Sequence, residues 1–160
     1  MRIRPAEDTD APEVARVWRA GWLDAHTGRV PDALMAERTE SYFAKTAEDL
    51  VDSTLVAVDE DDRVLGVVLL HDDELFQLAV SEAARGRGVG QALVAAAEER
   101  ISQRHDRAEL AVVSANLPAR RLYERCGWTD LGEVVMPARA ADLDDEPIPV
   151  VVHHYVKQLR

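Results

Sequence analysis

Leu75-Phe-Gln-Leu-Ala-Val-Ser-Glu-Ala-Ala-Arg-Gly-Arg-Gly-Val-Gly-Gln-Ala-Leu93 is the stretch whose reading decides the fold. Its first part, Leu75 to Val80, is a short apolar run with strand character. A turn follows, then glycines at 86, 88 and 90, then a helix whose apolar face continues through Val89, Leu93, Ala97 and Ile101 at spacing four. Glycines let backbone N–H groups converge with no side chain in the way. The helix start adds the positive end of its dipole, and Arg85 and Arg87 add full charge. The segment therefore predicts an anion cradle. The common nucleotide readings fail. A Walker loop needs Gly-Lys-Ser or Gly-Lys-Thr, and a dinucleotide fingerprint needs G-x-G-x-x-G opening the first crossover. Here the spacing is G-x-G-x-G, and a hairpin comes first. The bland alternative, a flexible surface turn, fits poorly between a strand and a helix.

Working outward, the hairpin consists of Leu55 to Val58 and Val64 to Leu70, joined by the acidic turn Asp59 to Asp62. A second turn, His71 to Asp73, leads into the quoted strand. Further upstream, Arg2 to Pro5 reads as an opening strand. Asp10 caps a helix with Pro12 in its first turn and Glu13 completing a capping-box pattern. Val14, Trp18 and Trp22 form one apolar face, more consistent with a core than with a ligand cage. After a break at His26 to Pro31, a second helix is expected from about Asp32 to Lys45. Downstream, Ala108 to Val113 is a strand, and Leu117 to Arg125 is a helix that tolerates Pro118 in its first turn. Gly127 suits the left-handed cap that ends it. Leu131 to Met136 and Val150 to Val156 are the last strands, with the acidic stretch Asp142 to Glu146 between them. Hairpins require antiparallel pairing, whereas the helix between Val80 and Ala108 allows a parallel pair. The expected fold is α/β: one mixed, mostly antiparallel sheet of six to seven strands with helices on both faces, in a single domain spanning 1–160.

The composition narrows the function classes. The chain has 19 basic and 30 acidic residues, a net charge of −11. Duplex nucleic acid is not the expected partner, since binding it calls for a basic surplus. An acidic surface instead favours cationic partners such as amines. A single cysteine, Cys126, excludes an internal disulfide and fits a reducing compartment. No apolar run reaches membrane-spanning length, and Met1 to Glu7 does not resemble a signal peptide. The expectation is a cytoplasmic protein, monomer or homodimer, with no membrane partner. Its five histidines show no ligand spacing, so no metal site is expected.

Two motifs carry a resemblance. Arg85-x-x-Gly88-x-Gly90 is similar to the (Arg or Gln)-x-x-Gly-x-(Gly or Ala) signature of the GNAT superfamily of acyl-CoA-dependent N-acyltransferases. Asn116-Leu-Pro-Ala-Arg-Arg-Leu-Tyr-Glu-Arg-Cys-Gly-Trp128 resembles the family's N-x-x-A-x-x-x-Y-x-x-x-G-(aromatic) segment. The resemblance covers nearly the whole chain. It implies a sheet that splays at its central parallel strand pair, with the pantetheine arm of acetyl-CoA in the gap. Leu78 and Val80 would offer backbone groups to that arm, because splayed strands leave unpaired N–H and C=O groups. Arg85, Arg87, Gly88, Val89 and Gly90 would hold the pyrophosphate.

The same resemblance implies the chemistry. Asn116, Arg120 and Tyr123 lie along one helical stripe. Asn116 would contact the arm while also capping its helix. Arg120 is either a phosphate contact or a solvated charge. Tyr123 would sit by the sulfur and give a proton to the departing thiolate; its alternative is a core aromatic. An amine would attack the thioester directly, with strand N–H groups stabilising the oxyanion. Glu74 stands near the place where some protein-lysine-acetylating members carry a catalytic glutamate, although His71-Asp-Asp-Glu74 also reads as a solvated turn. His153 and His154 alternate across the last strand, so that one could face the acceptor. Cys126 is expected to pack behind its helix rather than to carry an acyl group. A non-catalytic acyl-CoA-binding sensor or interaction module is the rival from another class.

Overall fold

A computed structural model of the chain describes residues 1–138 and 146–160. In chain order the elements are β1 (Arg2–Pro5), α1 (Ala11–His26), α2 (Asp32–Glu37), α3 (Glu40–Asp49), β2 (Thr54–Val58), β3 (Val64–His71) and β4 (Glu74–Val80). They continue as α4 (Val89–Ser102), β5 (Arg107–Val113), α5 (Leu117–Arg125), β6 (Thr129–Ala138) and β7 (Ile148–Gln158). The strands form one seven-stranded sheet in the order β1-β2-β3-β4-β5-β7-β6. Every neighbouring pair is antiparallel except β4 and β5. Among the described residues, no helix is long and apolar enough to cross a membrane.

Two apolar layers hold the sheet. On one face, Leu93, Val94, Ala97 and Ile101 of α4 and Tyr123 of α5 pack on Val68, Leu75, Leu110 and Tyr155. The spacing-four face of α4 is thus its buried face, as periodicity requires. On the other face, Trp18 and Trp22 of α1 and Phe43 of α3 cover Val56, Val67, Leu69 and Ala79. Trp18 stands edge-on to Phe43 with ring centroids 4.7 Å apart. Both tryptophans of α1 are buried, which makes them core and not a cage for a ligand.

The local reading needs three corrections. The expected helix from Asp32 to Lys45 is two helices. Arg38 leaves helical geometry at φ −89°, ψ 67°, and Thr39 starts α3 by accepting a hydrogen bond from the Tyr42 amide. The capping box also lies three residues earlier than expected. Glu7 and Asp10 form it around a single 3₁₀ turn, Asp8–Asp10. Glu13 instead accepts the Val64 amide at 3.0 Å, tying α1 to β3. Finally, the turn before the glycine loop contains a 3₁₀ turn, Glu82–Ala84, with Ala84 buried under α4.

Candidate active site

The site is built around β4 and β5. Their only aligned pair is Glu74 with Glu109, reinforced by the Glu109 amide donating to the Asp73 carbonyl at 3.0 Å. Beyond Glu74 the two strands part, while β5 keeps its full ladder to β7 from Arg107 to Val113. Among the described residues, the β4 edge that faces the gap therefore has no aligned ladder partner from Leu75 to Val80. Such polar backbone needs a partner, and an amide-bearing chain lying in the gap would supply one. A bulge sharpens the parting. The β3–β4 register runs Leu69 with Gln77 and then Leu70 with Leu75, leaving Phe76 unopposed. Bulges bend a strand and re-aim its groups. Here α1 locks the bend, because Trp18 Nε1 donates to Gln77 Oε1 at 3.3 Å and the Trp18 and Phe76 rings meet at 6.2 Å.

At the wide end of the gap lies the glycine loop. Gly88 is the N-cap of α4, with φ +79°. The first helical bond there joins the Ala92 amide to the Gly88 carbonyl at 3.0 Å, so the amides of the first turn have no intrahelical partner. A Cβ on Gly90 would lie 3.3 Å from Leu122 of α5 and 3.7 Å from Val80. The bare glycine is what lets α4, α5 and β4 converge. Arg85 pairs with Asp24 of α1 at 2.9 Å, both side chains being partly exposed, and Arg87 is exposed. An acidic chain thus gathers free N–H groups and two arginines at one helix start, a donor set suited to pyrophosphate.

Helix α5 borders the gap. Asn116 caps it, its side-chain oxygen accepting from the Ala119 amide at 3.4 Å. Tyr123 is 5% exposed, its ring 6.0 Å from Trp128 and 6.3 Å from Tyr155. Its hydroxyl has no hydrogen-bond partner among the described residues. Burial, with a smaller contribution from nearby Cys126, raises its pKa, so it keeps its proton at neutral pH. Arg120, which the sequence leaves as either a phosphate contact or a solvated charge, turns its guanidinium toward the sheet in this structure. It donates to the Tyr155 hydroxyl at 3.2 Å and the Ser114 carbonyl at 3.2 Å, and pairs with Asp130 at 3.5 Å. Asp130 in turn meets His153 Nδ1 at 2.9 Å. The arrangement braces α5 against β5, β6 and β7.

On the opposite face of the splay lies a cavity of about 240 Å³, lined by Glu74, Glu109, Leu110, Ala111, Val134, Met136 and His154. Burial raises the Glu74 carboxyl above its ordinary pKa; Glu109 and Asp73 push the same way, while His71 and His154 oppose. Glu74 makes no hydrogen bond or ion pair among the described residues. The two histidines divide as alternation predicts: His154 faces this cavity, and His153 faces Asp130 on the α5 side. The sequence reading missed Glu109, and no local pattern marks it. Of the acidic stretch Asp142 to Glu146, all but Glu146 lies outside the described residues.

With this geometry in hand, comparison with known proteins identifies the class. The model of the Acetyltransferase (GNAT) family matches residues 16–128, and the chain belongs to that family. It is similar to mycothiol acetyltransferase of Clavibacter sepedonicus, 37% identical over 93 residues, which are 55% of this chain and 31% of that protein. The match thus spans about a third of the curated relative's length. Solved structures share the fold. YncA from Salmonella typhimurium, determined with its cofactor acetyl-CoA, superposes with a TM-score of 0.70 at 18% identity, covering 100% of this chain and 94% of that one. The ribosomal-protein-alanine N-acetyltransferase from Brucella melitensis gives 0.72 at 16% identity, covering 99% of each chain.

Proposed function

We propose that this protein moves an acetyl group from acetyl-CoA to a primary amine, of a small molecule or a protein, by direct attack on the thioester. The observation that carries the reading is the gap between β4 and β5, open along β4 from Leu75 and ending at the bare helix start of α4. In this reading Leu78 and Val80 offer backbone groups to the pantetheine arm, and Asn116 adds a side-chain contact beside its capping role. Arg87, Gly88, Val89 and Gly90 hold the pyrophosphate, joined by Arg85. Acetyl-CoA, as substrate, supplies the activated acyl group. Glu74 takes a proton from the incoming ammonium, Tyr123 gives one to the sulfur side, and Arg120 holds α5 in register. The test is thiol release from acetyl-CoA against a broad amine panel. Amine-dependent release supports the enzyme. Tight donor binding with no release for any amine would leave a non-catalytic binding module.

The acceptor in this reading is cationic, since the net charge is −11 and two carboxylates line the cavity. Its apparent KM should rise with added salt as screening weakens the attraction. A salt-independent KM, or transfer confined to neutral amides and alcohols, would count against it.

A smaller effect is expected at the Arg85–Asp24 pair. If the phosphates draw Arg85, they must compete with Asp24. Partly exposed pairs are worth about 0.2–1 kcal/mol, so Asp24→Asn should tighten acetyl-CoA binding by about fivefold at most. Calorimetry showing weaker binding instead would mean that the pair organises the loop for its ligand.

A further inference from the structure

Glu74 and Glu109 face each other at the single point where β4 and β5 still pair. Adjacent strands lie about 4.8 Å apart, so the two carboxyl groups share one small space. From β7, His154 Nε2 approaches Glu109 Oε2 at 3.7 Å. Val134 and Met136 of β6 supply an apolar wall to the same cavity. Glu109 is partly buried and, among the described residues, pairs with no lysine or arginine; the His154 ring is its neighbour. Two carboxylates beside an apolar wall in a small, partly open cleft match an ammonium on a short alkyl stem. A volume of about 240 Å³ falls below the ~300–1,000 Å³ usual for drug-sized ligands. That favours a compact alkylamine, or the end of one long side chain, over a bulky polycyclic amine.

We propose that Glu109, with His154 of β7 beside it, is a specificity-determining residue that selects compact alkylammonium acceptors by sharing the ammonium with Glu74. The proposal rests on the acetyltransferase reading and narrows its acceptor. The bonds and protons balance without a further reagent. The ammonium gives one proton to Glu74, the freed nitrogen forms the C–N bond, and the C–S bond breaks. The second nitrogen proton leaves as the amide forms, the sulfur is protonated, and one net proton reaches solvent. The groups facing Glu74 are His71 and Asp73 from the β3–β4 turn, Glu109 from β5 and His154 from β7. Glu109 is a like charge, so its removal makes Glu74 easier to ionise.

The test uses the full chain saturated with coenzyme A, titrated with butylammonium and with neutral butanol, beside Glu109→Gln and His154→Gln. Saturation with coenzyme A is measured first, and failure there would sink the acetyltransferase reading itself. With coenzyme A bound, butylammonium should bind and butanol should not. Glu109→Gln should weaken butylammonium about two- to fivefold, the scale of a part-exposed ion pair, with unchanged melting temperature. For acceptors that the panel finds active, the acid limb of kcat/KM should move to lower pH by about half a unit in Glu109→Gln. His154→Gln should show a weaker form of the binding loss. Equal binding of butanol and butylammonium, no binding of either, or an unaltered affinity in a folded Glu109→Gln protein would overturn the proposal while leaving donor binding intact.

Discussion

Replacing Tyr123 with Phe is expected to slow acetyl transfer by about 10²- to 10⁴-fold, the usual range for a lost general acid, with acetyl-CoA affinity nearly unchanged. The argument begins from what the hydroxyl does not do. It makes no hydrogen bond among the described residues, although the ring is 95% buried among Trp128, Tyr155 and the rest of that core. The hydroxyl is not among the buried side-chain atoms left without a partner, so water reaches it and its loss costs the fold little. Its removal should therefore leave the melting temperature nearly unchanged, whereas the loss of a hydroxyl bonded within the fold would lower it. Burial also raises its pKa. The group is a firm hydrogen-bond donor and a reluctant acid, and its help grows only as charge develops on sulfur. That reluctance puts the expected loss nearer the hundredfold end. The measurement is single-turnover transfer beside donor binding. A wild-type rate in the mutant would make Tyr123 a packing residue and return protonation to solvent.

The contrast between the two faces of the sheet shows what could be read in advance. The glycine-loop side is contiguous: Leu75 to Leu93 carries strand, loop and helix in one stretch, and Asn116 to Trp128 carries the neighbouring helix. Periodicity and glycine placement expose both, because each depends on local backbone geometry. The parting of β4 from β5 came from the family resemblance, and the ladder shows it. The bulge at Phe76 left only a faint trace, a Phe76-Gln77 step that breaks simple alternation, and it is visible only once β3 is paired beside it. The cavity beside Glu74 is different in kind. Its walls come from β4, β5, β6 and β7, and only the sheet order brings Glu109 beside Glu74 and His154 beside Glu109. No window of sequence contains that juxtaposition.

Arg120 illustrates the limit from the other direction. Its stripe with Asn116 and Tyr123 is real, since all three lie at one end or on one side of α5. Stripe membership does not say where a long side chain ends. Tyr155, Ser114 and Asp130 supply three acceptors on the sheet side, and a guanidinium with five donors takes them. The loop between α2 and α3 makes a similar point. Leu34, Phe43 and Ala47 are all buried, so the apolar residues of that region hide the break at Arg38 from any reading of hydrophobicity alone.

Gly88→Val should reduce acetyl-CoA affinity by at least tenfold, about 1.4 kcal/mol. Two independent causes act in the same direction. Gly88 has φ +79° as the N-cap of α4, a conformation that a β-branched residue adopts only with strain. Relaxing that strain would turn the amides of Val89 and Gly90 away from their common focus. The added side chain would also stand where a phosphate must approach the backbone. Space inside the fold is not the obstacle, because a Cβ at Gly88 meets nothing within 4 Å. The effect should therefore appear in binding far more than in packing. Gly88→Ala separates the causes: it keeps much of the backbone strain but adds little bulk, and its loss should be smaller. Calorimetry on both variants, with melting temperatures measured alongside, decides the matter. Wild-type affinity in a folded Gly88→Val protein would show that the loop does not hold the donor.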